Sequence, residues 1–122
     1  MNKICTTLEQ SQKLIELGIN INTADMWYQH IGYSIKDGIT KPVYFPMVMR
    51  DDPTEKDIPA WSLSALLSLL KPCDGETYTM RGTFDGGATI EFSNITNVMT
   101  QEDNPLDAVF EMVVWLKENS KI

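Results

Sequence analysis

Apolar residues along this chain follow two different spacings, and the change between them restricts the possible folds. Between Ser62 and Leu70, leucines stand at i, i+3, i+4 and i+7, which places them on one face of a helix. Between Glu76 and Phe92, apolar and polar residues alternate instead, as in strands with one buried face. A chain that carries both patterns in separate segments is typical of an α+β protein.

Three segments carry the signals of helix ends. Thr7 and Gln10 have the spacing of a capping box, and Gly18 provides a stop for this first helix. Ser62 is a typical N-cap for the second helix. Asn104-Pro105 combines an N-cap with proline at the first helical position, which predicts a third helix after residue 104.

The alternating segments predict two hairpins. Residues 76–84 and 90–92 form the clearer one, with Tyr78 and Met80 on the face expected to be buried. Strands over Met26–Tyr33 and Val43–Val48 form the other, and we expect the loop between them to be too long for a two-residue turn. Pro46 would remove a hydrogen-bond donor and therefore predicts that its strand either lies at a sheet edge or ends there.

These elements predict one domain over residues 1–122 with the order α-β-β-α-β-β-α. The simplest arrangement for this order is an antiparallel sheet of about four strands with three helices packed on it. A length of 122 residues and an apolar content of 43% allow one hydrophobic core without disulfide or metal support.

The charge distribution disfavours nucleic acid as a partner. The net charge is −7, and thirteen of the seventeen acidic residues lie in positions 51–122. Binding to phosphates requires a positive surface, and the chain contains no lysine or arginine cluster. We therefore expect no direct binding of nucleic acid and no attraction to an anionic membrane surface.

The chain shows no sign of a membrane-spanning or secreted protein. Its longest apolar runs are far shorter than the roughly 20 residues that cross a bilayer. Glu9 and Gln10 interrupt the N-terminal region before a signal-peptide core could develop. We therefore expect a cytoplasmic protein, in which Cys5 and Cys73 are free thiols.

The residue types needed for catalysis or for metal binding are sparse. His30 is the only histidine, and no nucleophile elbow, phosphate loop or zinc spacing is present. We expect no catalytic residue, cofactor or bound metal, and we interpret the acidic stretch Asp51–Asp57 as a solvated loop. The alternative is a small ligand-binding domain or hydrolase-like enzyme that uses His30 with Asp25 or with carboxylates of this loop.

Aromatic residues concentrate in the first hairpin, and one further tryptophan precedes the second helix. Such side chains anchor protein interfaces because they offer a large rigid surface. We therefore predict a non-enzymatic protein that binds a protein partner or self-associates. The candidate interface comprises Trp27, Tyr28, His30, Tyr44 and Trp61.

Three segments carry a further signal: Thr23–Tyr28, Ile58–Leu67 and the stretch from Asn104 to Leu116. Together they resemble a family of small proteins without assigned activity that bacteriophages and prophages of gut bacteria encode. The resemblance implies a phage or prophage context inside a bacterium. It assigns no role to any individual residue.

Overall fold

The computed structural model of the protein describes residues 4–48, 56–70, 77–82, 87–93, 98–120 and 122. These residues form an α+β fold with three α-helices, so the predicted class and helix count are confirmed. The elements are α1 (Leu8–Glu16), a 3₁₀ helix (Ile21–Thr23), β1 (Met26–Lys36), β2 (Ile39–Val48), β3 (Ile58–Ala60), α2 (Leu63–Leu67), β4 (Thr77–Gly82), β5 (Ala88–Ser93), β6 (Val98–Glu102) and α3 (Pro105–Glu118).

The strands form two separate antiparallel sheets of three, in place of the predicted single sheet of about four. One sheet has the order β2-β1-β3 and the other the order β4-β5-β6. Each sheet consists of a predicted hairpin and one added strand, β3 or β6. The two added strands are short, at three and five residues, and too polar or proline-containing to show a clear alternation.

The helices begin where the capping residues predicted. Thr7 and Gln10 make both hydrogen bonds of a capping box at α1. The Ser62 side chain accepts a hydrogen bond from the Ala65 N–H at α2. Asn104 caps α3 with Pro105 at its first position. Local hydrogen bonding therefore determines where each helix begins.

The hydrophobic core is built around α3. Its buried face, including Val109, Met112 and Val113, packs with Leu66 of α2 and Ile90 of β5 in one continuous cluster. The helix lies against β5 and β6, and the Thr100 hydroxyl on β6 donates a hydrogen bond to a backbone carbonyl of α3. This contact ties the second sheet to the helix that covers it.

The expectation that Tyr78 and Met80 are buried was wrong. Both lie on the face of β4 that pairs with Ile90, which is fully buried, yet they remain 39% and 41% exposed. The helix α3 packs over β5 and β6, so β4 extends beyond the covered part of the sheet. The alternation identified which face of the hairpin is directed toward the core. It did not show that α3 covers β5 and β6 but leaves β4 exposed.

Candidate functional site

The β1–β2 hairpin is longer than expected, and its outer part lies in solvent. Lys36 pairs with Ile39, so only Asp37 and Gly38 form the turn. Their φ angles of 54° and 76° are those of a two-residue hairpin turn. The prediction of a long loop over Ser34–Lys41 was wrong because a solvent-exposed ribbon can continue through polar residues when an Asp-Gly turn closes it.

A bulge interrupts β1 in the middle of this hairpin. His30 pairs with Tyr44, and Gly32 pairs with the adjacent Val43, so Ile31 has no residue opposite it. Gly32 adopts a φ of 147°, a conformation that side chains disfavour. Because faces alternate along a strand, one extra residue moves everything beyond it to the other face.

The bulge brings three rings together on one face of the hairpin. The ring centroids of His30 and Tyr33 are 4.8 Å apart at an interplanar angle of 69°. Those of His30 and Tyr44 are 5.5 Å apart at 74°. Both are edge-to-face contacts, the preferred geometry of aromatic pairs. Two predicted interface residues, His30 and Tyr44, therefore lie together and are half-buried.

Beyond this cluster the hairpin exposes apolar side chains. We call residues 31–45 the arm. Its strongly exposed apolar residues are Ile31 (57%), Tyr33 (60%), Ile35 (77%), Ile39 (57%) and Phe45 (60%). None of the five was among the predicted interface residues, although Ile31, Tyr33 and Phe45 lie within the predicted strands. Ile35 and Ile39 lie in the stretch that was expected to be a loop, and the Asp37-Gly38 pair was the signal that could have extended the strands through these two residues.

The arm has two edges, and prolines occupy the outer edge of β2. Pro42 pairs with Tyr33 and Pro46 with Tyr28. Because proline has no N–H, these pairs lie at positions without cross-strand hydrogen bonds. The backbone nitrogen and carbonyl of both prolines therefore point away from β1. Of the two alternatives predicted for Pro46, the edge strand is confirmed, since β2 lies at the edge of its sheet and continues past Pro46 to Val48. This edge lacks two of the donors that an added strand would need.

The other edge of the arm belongs to β1, and we call it open because no described strand pairs with it there. The strand β3 pairs only with Met26–Tyr28, and among the described residues no strand pairs with β1 on that side beyond Tyr28. The outward N–H of His30 is bound by the Asp57 carboxylate at 3.0 Å. Strand alternation across the bulge makes Tyr33 and Ile35 the next residues whose N–H and C=O groups point outward.

The remaining hairpin residues of the predicted interface support the base of the arm. The Tyr28 hydroxyl donates to the Thr6 carbonyl at 2.8 Å and accepts from the Cys5 thiol at 3.7 Å. Burial is the main cause that raises the pKa of both Tyr28 and Cys5 above their ordinary values. Trp27 is half-buried, and within the described part of the chain its Nε1 has no hydrogen-bond partner.

Trp61 lies in the core and not at the surface. Its side chain is fully buried, and its Nε1 donates to the Thr23 hydroxyl at 2.9 Å. Its backbone N–H donates to the Thr6 hydroxyl at 3.1 Å, and its carbonyl accepts from the Thr6 N–H at 2.8 Å. The assignment of Trp61 to an exposed interface was therefore wrong, because its side chain belongs to the buried core cluster.

The carboxylates considered for chemistry with His30 have structural hydrogen bonds. Asp25 accepts from the backbone N–H and the hydroxyl of Ser62, and so supports the start of α2. Asp57 is buried, although the acidic stretch was expected to be solvated, because it binds the backbone of His30. Residues 51–55 of that stretch lie outside the described residues.

No group of histidine, cysteine and carboxylate side chains in the described ranges is arranged to hold a metal ion. Across the same ranges, no helix has both the length and the apolar character required to cross a membrane.

Acidic side chains surround the solvent face of α3. Burial, followed by the charges of Glu102, Asp107 and Glu118, raises the pKa of Glu111 above its ordinary value, while Lys13 acts in the opposite direction. A contact of 3.9 Å joins Lys13 and Glu118. Glu102, Asp107 and Glu118 therefore place negative charge near Glu111, with Lys13 as a counter-charge.

The fold and the site together define an α+β protein with a protruding, apolar β-hairpin arm. No protein-family model, curated protein sequence or solved structure matches the chain. The resemblance to phage and prophage proteins therefore stays a prediction.

Proposed function

We propose that the protein is a non-enzymatic accessory protein of phage or prophage type that binds another protein chain, either a partner or a second copy, through the arm. In this proposal the protein acts in the bacterial cytoplasm. The observation that carries the proposal is the exposure of five large apolar side chains on a single hairpin.

The arrangement of these side chains supports binding better than a scatter of surface residues would. By strand alternation, Tyr33 and Ile35 lie on one face of the arm and Ile39 and Phe45 on the other, so both faces present apolar side chains. Exposed apolar residues that occur singly are common, whereas several on one projecting element mark an interaction site. The turn and the bulge define the conformation of the arm before a partner arrives, which lowers the entropic cost of association. Lys36 and Lys41 add polar groups near its tip, at a cavity of about 330 Å³.

The non-enzymatic part of the proposal is supported by the positions of the titratable groups. Asp25 and Asp57 bind backbone N–H groups that begin α2 and orient β1. The Cys5 thiol is buried and its pKa is raised, which opposes the thiolate form that a nucleophile requires.

The experiment is affinity capture from a lysate of a bacterial host with three forms of the tagged protein. The wild type is compared with the double variant Tyr33→Ser and Phe45→Ser and with Met99→Ser. Met99 is 55% exposed on β6 and so controls for the loss of an apolar surface residue outside the arm. We expect a protein bound in stoichiometric amount by the wild type and by Met99→Ser, and lost with the arm variant. Identical recovery with all three forms, together with a wild type that remains monomeric in solution, would contradict the proposal.

A further inference from the structure

The open edge of β1 in the arm is complementary to the same edge of a second copy. Tyr33 and Ile35 present outward N–H and C=O groups and stand on either side of Ser34. When a second copy approaches antiparallel with the two Ser34 residues opposite each other, Tyr33 lies opposite Ile35 in both directions. An aromatic residue opposite a β-branched one is a favourable cross-strand pair.

The length of this open edge matches the length of β1 in a second arm. In that register, the turn at Asp37-Gly38 reaches the level of His30 of the partner subunit. There the Asp57 carboxylate of each copy binds the N–H of its own His30, and β3 begins two residues further along β1. Residues 32–36 therefore pair with the same five residues of the other copy, over about 17 Å of strand.

The charges of the two copies favour the same arrangement. The arm contains Lys36, Lys41 and Asp37 and has a net charge of +1, so the rest of the chain has a net charge of −8. Two copies meeting through their bodies would bring like charges together. Antiparallel arms direct Lys36 of each copy toward the partner's Asp57 and the negative body behind it, which steers association and favours this register.

From this edge and this charge distribution we infer that the occupant of the arm is a second copy of the chain, paired along β1 around a two-fold axis at Ser34. The joined arms form a four-stranded sheet with the order β2-β1-β1-β2, in which the prolines of β2 close both outer edges. Such a contact is isologous and stops at two copies. This inference rests on the proposed function, since it specifies what the arm binds.

The first experiment measures the mass of the full chain in solution by sedimentation equilibrium over a wide concentration range. We expect a reversible dimer. Ile35→Lys places a charge on the paired edge and should raise the dissociation constant by more than about tenfold. Thr40→Lys is the matched control, because Thr40 pairs with Ile35 on the same face but belongs to β2. It should leave the dimer intact, and circular dichroism of all three proteins verifies that they fold.

The second experiment tests the register by oxidation. In a Cys73→Ser background, Ser34→Cys lies on the two-fold axis and should form an intermolecular disulfide rapidly. Lys36→Cys lies opposite Gly32 of the partner subunit and should not. Dimers that cross-link equally through both variants would overturn the register.

The possible results separate this inference from the proposed function. A wild type that remains monomeric at every concentration, or a dimer that Ile35→Lys and Thr40→Lys weaken equally, overturns the paired edge. In the monomeric case, arm-dependent capture of another protein would still leave the proposed function standing. A monomer with no arm-dependent capture contradicts both.

Discussion

The rings of His30 and Tyr33 touch edge to face although three positions separate the two residues along β1. In a regular strand, residues three apart lie on opposite faces. The bulge at Ile31 reverses the faces, and so places Tyr33 beside His30 with ring centroids 4.8 Å apart. The same reversal decides which backbone N–H and C=O groups of the arm point outward. The bulge at Ile31 therefore determines that Tyr33 and Ile35 form the open edge of β1.

Gly32 should be the residue on which this bulge depends. Its φ of 147° is unfavourable for any side chain, while no atom lies near the position that a Cβ would occupy, so Gly32→Ala tests the backbone alone. We expect a loss of about 1–3 kcal/mol of arm stability, measured by hydrogen exchange of the arm amides. Gly82→Ala is the matched control, because it also has open space and lacks the positive φ. Equal exchange in both variants would contradict this account.

Trp61 and Trp27 should respond differently to the same substitution. Trp61→Phe removes a buried N–H that donates to Thr23, whereas Trp27→Phe removes a buried N–H without a partner among the described residues. A buried N–H without an acceptor lowers the stability of the fold. Its removal from Trp27 therefore offsets part of the stability that is lost with the packing of the indole ring. We expect Trp61→Phe to lower the free energy of unfolding more than Trp27→Phe does, in chemical denaturation. Trp61→Ala should cost about 3–5 kcal/mol. A larger loss at Trp27 would be the opposite of this expectation.

The Cys5 thiol should resist alkylation in the folded protein. It is 4% exposed, and burial raises its pKa, so the reactive thiolate is scarce at neutral pH. A Cys73→Ser variant leaves Cys5 as the only thiol. We expect modification by iodoacetamide at least about tenfold faster after unfolding than before, as followed by mass spectrometry. Similar rates in the two states would show that the N-terminal segment does not protect the thiol.

Glu111→Gln should stabilise the protein at neutral pH but not at low pH. The pKa of Glu111 is raised in the folded state by burial and then by neighbouring carboxylates. Its ionised form therefore opposes folding above the folded-state pKa, and this penalty disappears as the pH falls below the ordinary value of a glutamate. We expect a small rise in melting temperature at pH 7 that vanishes near pH 3, where the carboxyl is protonated in both states. A variant that melts lower at neutral pH would contradict the pKa direction.

The helices and the fold class were determined by the sequence itself. The capping residues Thr7, Ser62 and Asn104 act on backbone groups three positions away, so their effect can be inferred from local spacing. The spacing of the leucines between Ser62 and Leu70 likewise identified one helix face, and that face packs in or against the core, because an amphipathic helix must bury its apolar stripe whichever neighbours it finds.

Only the tertiary structure decided which aromatic residues are exposed. Trp61 is enclosed by segments far apart in the chain, including Thr6 and Thr23, and no local pattern reports that enclosure. Tyr33 and Ile35 became surface residues because β3 ends after three pairs and leaves the arm uncovered. Burial depends on what lies across from a residue in space, whereas a helix cap or an alternating strand depends on neighbours in the chain.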